Sequence, residues 1–213
     1  MTGDGRSAKF HPVSSPNVVW HDSTLPRQDR WKLLGLRGAT IWFTGFSGSG
    51  KSTVAVEVER QLVEAQRAAY LLDGDNLRHG LNGDLGFSAG DRTENVRRVA
   101  EVARLFADAG FVTLVPLISP YRAGRDSARQ LHQVAGLRFI EVFVDTPIEM
   151  CEQRDPKGLY AKARRGELPG FTGIDDPYEP PLAPDLVLAT AQVSVVELAA
   201  QVVATLGREP GYQ

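Results

Sequence analysis

The sequence predicts an α/β fold: a doubly wound, five-stranded parallel sheet flanked by helices, with a mobile lid. Three observations predict it. Apolar runs of strand length alternate five times with stretches of helical period. The first run, Ala39-Thr40-Ile41-Trp42-Phe43-Thr44, leads directly into Gly45–Thr53, which matches G-x-x-x-x-G-K-[ST] and makes the fold one of the P-loop nucleoside triphosphate hydrolase type. Finally, residues 155–184 show neither period and carry Lys157, Lys162, Arg164 and Arg165 among glycines and prolines. An irregular stretch of that length inside a compact domain reads as an active-site lid.

The phosphate loop specifies its chemistry residue by residue. Gly45, Gly48 and Gly50 have no Cβ, so backbone can turn sharply and approach an anion closely. Ser47, Ser49 and the following N–H groups converge on phosphate at the positive end of a helix. Lys51 supplies a mobile cation for the β- and γ-phosphates of a nucleoside triphosphate. Ser52 fills the last position of the motif and offers a hydroxyl to a magnesium ion on those phosphates, and Thr53 follows it in the nucleotide-binding stretch. Beyond it, Val54, Val58, Leu62 and Ala65 recur at helical spacing.

The second strand, residues 68–72, ends in Asp73-Gly74-Asp75-Asn76. Polar side chains at the carboxyl end of a parallel strand lie where open α/β sheets bind ligands. Asp75 is the carboxylate best placed to orient an acceptor hydroxyl or a magnesium-bound water, with Asp73 either a helper or an N-cap. Ser88 and Asp91 read as a capping box for a helix from about Arg92 to Ala109, ended by Gly110. Arg92 and Asn95 are three apart and share a face. The third strand spans 111–118, a helix 124–135, the fourth strand 139–144, and a short helix carries Ile148, Cys151 and Arg154. The fifth strand covers 186–189 and the last helix 194–206. His79 and His132 have no partner pattern for metal or nucleophilic work.

Several ordered segments together resemble the adenylyl-sulfate kinase (APS kinase) family, over about residues 17–206. They are Asn17-Val18-Val19-Trp20-His21, Gly45–Thr53, 73–78, 84–88, 91–95, Ile118-Ser119-Pro120-Tyr121-Arg122, 155–160 and 170–175. The resemblance implies transfer of phosphate from ATP, with Mg²⁺, to the 3′-hydroxyl of adenosine 5′-phosphosulfate (APS), giving 3′-phosphoadenylyl sulfate and ADP in sulfate assimilation. It implies that Phe87 and Phe171 sandwich the acceptor adenine, and flat apolar faces suit a purine. It places Arg78, Arg92, Asn95 and Lys157 around the phosphosulfate, and Ile118, Ser119 and Gly170 on the acceptor pocket. Arg154 would lie on the ATP adenine, where a guanidinium stacks well. Ser119 matches a phosphoenzyme position of the family, but direct transfer between two bound nucleotides needs little covalent help. The resemblance also implies a homodimer and an association with ATP sulfurylase, either as a free-standing kinase or as a piece of a fusion. Phe46 replaces the leucine common at the second loop position. Another small-molecule kinase on this fold would not need the paired phenylalanines, and a non-catalytic regulatory subunit could lose Asp75, Arg92 or Lys157.

Composition narrows the rest. Of 213 residues, 42% are hydrophobic and 23% charged, and Lys plus Arg (24) nearly balances Asp plus Glu (26). That balance argues against nucleic acid as a partner. No apolar run is long enough for a membrane span. A single cysteine, Cys151, leaves no internal disulfide and fits a reducing cytoplasm. Residues 1–37 read as an N-terminal arm, disordered over 1–16 and docked through the cluster at Trp20, with 25–37 a solvated basic helix; residues 38–213 read as the kinase domain.

Overall fold

The computed structural model describes residues 17–19, 21, 23–190 and 193–207. Its sheet is parallel throughout and ordered β2-β3-β1-β4-β5: β1 (Ala39–Thr44), β2 (Ala69–Leu71), β3 (Val112–Pro116), β4 (Arg138–Asp145) and β5 (Leu186–Ala189). β1 is the central strand. Ala39 pairs with Val112 on one side and with Arg138 on the other, and all six β1 residues are buried. A strand covered on both faces reads as one apolar run, as the sequence reading expected.

The period of two divides that run between two cores. Ile41 and Phe43 face α2 (Lys51–Glu64) and α8 (Val195–Leu206), where they meet Val54, Val58, Leu62, Leu198 and Val202. Trp42 faces α4 (Ala89–Ala109) and α5 (Arg122–Val134), among Val96, Val99, Ala103, Ala128 and Phe139. Each fully buried aliphatic side chain contributes about 1.5–3 kcal/mol relative to exposure. α4 has the expected capping box but begins at Ala89 rather than about Arg92: the Ser88 hydroxyl accepts from Asp91 N–H at 3.2 Å while the Asp91 carboxylate accepts from Ser88 N–H at 3.3 Å. It also ends as expected, on Gly110 at φ 114.

Two expectations change. First, α1 (Arg27–Leu34) is not merely a solvated linker. Arg30 pairs with Asp108 at 2.7 Å, Arg27 donates to the Ala135 and Gly136 carbonyls at 2.8 and 3.1 Å, and Trp31 Nε1 donates to the Asp108 carbonyl at 2.9 Å. The last carbonyls of α4 and α5 have no intrahelical partner and carry partial negative charge, so cations gather there. Ahead of α1, Val18 and Val19 stand 60% and 67% exposed, so this part of the apolar cluster does not dock. Trp20 and residues 1–16 lie outside the described residues.

Second, the lid is not irregular throughout. Between α6 (Ile148–Arg154) and β5 it contains α7 (Leu159–Arg164) and a small core of its own. Tyr160, Ala163 and Phe171 are buried there with Cys151, and Phe46, Ile148, Leu168 and Ile174 pack against them. The Asp175 carboxylate accepts the Gly170 and Phe171 N–H groups, each at 2.6 Å, and fixes the turn that presents Phe171.

Candidate active site

Every site residue named from the sequence except Gly45 lines one cavity of about 990 Å³ at the carboxyl ends of the strands. Gly45 serves the fold: its φ is 144, and a Cβ there would lie 2.6 Å from the Val144 carbonyl of β4. Gly50 serves the turn: nothing crowds its Cβ position, but its φ of 102 disfavours any other residue just before α2 begins.

The phosphate-loop end of the cavity holds Ser47, Gly48, Ser49, Gly50, Lys51, Ser52 and Thr53. Lys51 is only 7% exposed. Its Nζ donates to the Gly45 and Phe46 carbonyls at 3.0 and 2.6 Å, and burial lowers its pKa to about 8. Ser52 Oγ donates to Asp73 Oδ2 at 2.9 Å. The other Asp73 oxygen accepts the Asp75 and Asn76 N–H groups, which makes Asp73 the N-cap of α3 (Gly74–Leu77). Hydroxyl and carboxylate oxygens thus meet beside the loop, and oxygen is the ligand type that magnesium prefers. Among the described residues no cluster of three or more His, Cys, Asp or Glu forms a protein-only metal site. Arg154, at the end of α6, borders the mouth.

The other end of the cavity is built from α3, the start of α4, the segment after β3 and the lid. Phe87 is 59% exposed, with the Arg78 guanidinium 4.3 Å from its ring centroid. Arg78 Nη1 is held by the Leu85 and Gly86 carbonyls at 3.1 Å each. Arg92 donates from Nε to the Phe87 carbonyl at 2.9 Å and reaches across to Thr172 Oγ1 and the Gly170 carbonyl on the lid. Its guanidinium therefore spans wall and lid. Asn95 is buried and accepts from Asn82 Nδ2 at 3.0 Å. Lys157 pairs with Asp75 across the opening, and both side chains remain more than half exposed. Phe171 is 7% exposed, its ring meeting Tyr160 edge-on at 4.9 Å.

Between the two ends lie Ile118 and Ser119. Ser119 is 4% exposed and has φ 40, a left-handed backbone rare for a residue with a Cβ. Its hydroxyl accepts from Trp42 Nε1 at 3.1 Å. Its carbonyl accepts from Arg125 Nη1 at 2.6 Å, and the Ile118 carbonyl accepts from Thr44 Oγ1 at 2.8 Å. The sequence reading did not single out Arg125, Trp42 or Tyr160 as site residues. Tyr160 donates to the Ser47 carbonyl at 2.9 Å and so ties the lid to the phosphate loop. His132 is structural: burial lowers its pKa to about 4, and it bonds Thr40 at 2.8 Å.

The chain has close relatives. The adenylylsulphate kinase family pattern matches residues 37–189. The adenylyl-sulfate kinase of Clostridium acetobutylicum is 57% identical over 176 residues, which is 83% of this chain and 86% of that one. A bifunctional enzyme CysN/CysC of Mycobacterium tuberculosis is 58% identical over 189 residues, 89% of this chain but 30% of that one. The structure of the Mycobacterium tuberculosis APS kinase CysC in complex with AMPPNP and APS superposes with a TM-score of 0.79 at 59% identity, covering 81% of this chain and 99% of that one. The chain therefore belongs to the adenylyl-sulfate kinase family, and its activity is the ATP-dependent phosphorylation of adenosine 5′-phosphosulfate.

Proposed function

We propose that the phosphoryl group passes directly from ATP to the 3′-hydroxyl of adenosine 5′-phosphosulfate, with the residue roles below. One observation carries this reading. A single cavity joins a phosphate loop at one end to Phe87, Phe171, Arg78, Arg92 and Lys157 at the other, with Asp75 and Ser119 lining the same space.

Lys51 leaves its own loop carbonyls and holds the β- and γ-phosphates, balancing charge that develops on the transferred group. Magnesium, held through Ser52 with Asp73 behind it, would neutralise the same phosphates. Asp75 accepts the hydrogen bond of the acceptor hydroxyl and orients its oxygen; Lys157, its partner across the opening, turns to the phosphosulfate. Arg78, Arg92 and Asn95 supply the remaining donors to that anion. Phe87 and Phe171 hold the adenine, with Ile118 and Gly170 against the nucleoside, and Arg154 stacks on the ATP base. Ser119 shapes the wall rather than carrying phosphate.

The working domain is 38–213, with 1–37 an arm. A homodimer, and an association with ATP sulfurylase, follow from the resemblance; a bifunctional relative of which this chain matches 30% fits the second. The buried, lone Cys151 fits a cytoplasmic setting. Among the described residues no helix is long and apolar enough to cross a membrane. The test is direct. Purified protein, ATP, magnesium chloride and adenosine 5′-phosphosulfate should yield ADP and a 3′-phosphorylated product, separated and identified by mass. A product phosphorylated at another position, or undiminished turnover in excess EDTA, would refute the assignment.

A further inference from the structure

Arg125 has no role in the reaction as described, yet its placement is unusual. Its side chain is 1% exposed, and a buried guanidinium is costly unless every donor is used. Here each nitrogen has a separate partner. Nε donates to Glu141 of β4 at 2.8 Å, Nη1 to the Ser119 carbonyl at 2.6 Å, and Nη2 to the Glu179 carbonyl at 2.6 Å. Glu141 is held in turn by Arg129, which also pairs with Asp185 at 2.7 Å. The carboxylate that anchors Arg125 is therefore fixed from behind.

Two of the three partners bear on the site. Ser119 lines the cavity in a left-handed conformation that its Cβ disfavours. Something outside the residue must hold it there. Arg125 grips its carbonyl, while Trp42 Nε1 grips its hydroxyl from the sheet side at 3.1 Å. Glu179 lies near the end of the lid segment, so the same guanidinium also pins the point where the lid returns to the body. A lysine could replace the charge but not the three-way fork.

We propose that Arg125 and Trp42 form a clamp that positions the Ile118–Ser119 wall for the acceptor nucleotide, with Arg125 also fixing the far anchor of the lid. Both are positioning residues: Trp42 acts through Ser119, and Arg125 through Ser119 and the Glu179 carbonyl. The inference rests on the reading of Ile118 and Ser119 as acceptor-site wall.

The experiment uses steady-state kinetics of the full chain, with ATP and adenosine 5′-phosphosulfate varied separately. Arg125→Lys is expected to raise the acceptor KM by about tenfold or more, as loss of a charged hydrogen bond allows, with the ATP KM within about twofold. Trp42→Phe, which keeps a ring but deletes the donor, is expected to shift the acceptor KM the same way by a smaller factor. It also keeps the proposal testable if the lysine variant does not fold. The diagnostic arm adds Ser119→Gly. Glycine takes a positive φ without strain, so it should restore a large part of the acceptor KM in either background. Equal rises in both KM values, or no rescue by glycine, would overturn the clamp. Ile118→Ala separates this from failure of the underlying reading. If it leaves the acceptor KM unchanged, the wall assignment itself is wrong. If it raises that KM while Arg125→Lys and Trp42→Phe do not, only the clamp is wrong.

Discussion

At the scale of single residues, Lys51 links charge to ligand. Burial lowers its pKa from 10.5 to about 8, so below pH 8 the folded protein holds a desolvated cation. Between those two values the unfolded chain keeps a proton that the folded one has lost. Stability therefore rises with pH through that window, with the cost of burying the charge present in full below it. Phosphates bound beside Nζ would restore the charged form. Above pH 8, ATP or ADP binding should draw up to one proton per site from the buffer, and near neutrality almost none. Titration calorimetry in two buffers of different ionisation heat reads this uptake, and Lys51→Met should remove it. Lys51→Ala should abolish turnover while leaving the fold intact; turnover near that of the unaltered protein would dismiss the phosphate-loop assignment. Ser119→Ala makes the opposite case. The hydroxyl is buried and accepts from Trp42, so its loss costs about one hydrogen bond, ~1 kcal/mol, and substantial activity should remain if transfer is direct. Complete loss, with stable labelling of Ser119 by γ-labelled ATP, would establish a phosphoenzyme instead.

At the scale of elements, the two phenylalanines proposed to hold the acceptor adenine differ. Phe87 stands exposed beside Arg78, whereas Phe171 belongs to the core of the lid. Phe87→Ala should weaken acceptor binding and leave stability unchanged. Phe171→Ala should weaken acceptor binding and also loosen the lid, seen as faster amide exchange over 159–176. From sequence, the cationic stretch 155–184 reads as open and rapidly exchanging. The helix and its apolar cluster predict instead that α7 is already protected in the free protein, with further protection on adding ADP and adenosine 5′-phosphosulfate. An exchange pattern indifferent to both nucleotides would make the lid a rigid wall. The central strands β1 and β3, by contrast, were legible because burial on both faces makes apolar runs, and α4 because its capping box and terminal glycine mark both ends. α7 was not: six residues are too few to display a period, and Leu159, Tyr160 and Ala163 gain meaning only when Cys151 and Phe171 arrive from outside. The placement of Gly48, Gly50, Lys51 and Asp75 on one cavity was legible from their motifs. Arg125 was not, since nothing in a helix bearing Arg122, Arg125 and Arg129 tells which guanidinium turns inward.

For the molecule as a whole, α1 ties two helix ends together far from the cavity. Asp108 receives both Arg27 and Arg30, at 3.3 and 2.7 Å, but it is 39% exposed, so solvent weakens the pairs. Asp108→Asn should cost about 1 kcal/mol, which for a domain of this size lowers Tm by roughly 2–4 °C. Scanning calorimetry measures the shift, and the loss should shrink at high salt. Turnover should not change, because Asp108 does not line the cavity. A fall in kcat at constant stability would mean that the arm communicates with the site.

The order of strands also has a consequence for synthesis. β1 is made early, yet its two hydrogen-bonding edges are closed by β3 and β4, whose register partners to Ala39 are Val112 and Arg138. At roughly 5–20 residues per second, a ribosome leaves one flank of this apolar strand uncovered for several seconds. The phosphate loop shares that delay. Thr146, just past β4, donates to the Ser49 carbonyl at 2.9 Å, and the Val144 carbonyl stands where a Cβ on Gly45 would lie, so the loop gains these contacts only when β4 docks. Nucleotide is therefore expected to stabilise the nascent chain in full only after residue 146 has left the exit tunnel.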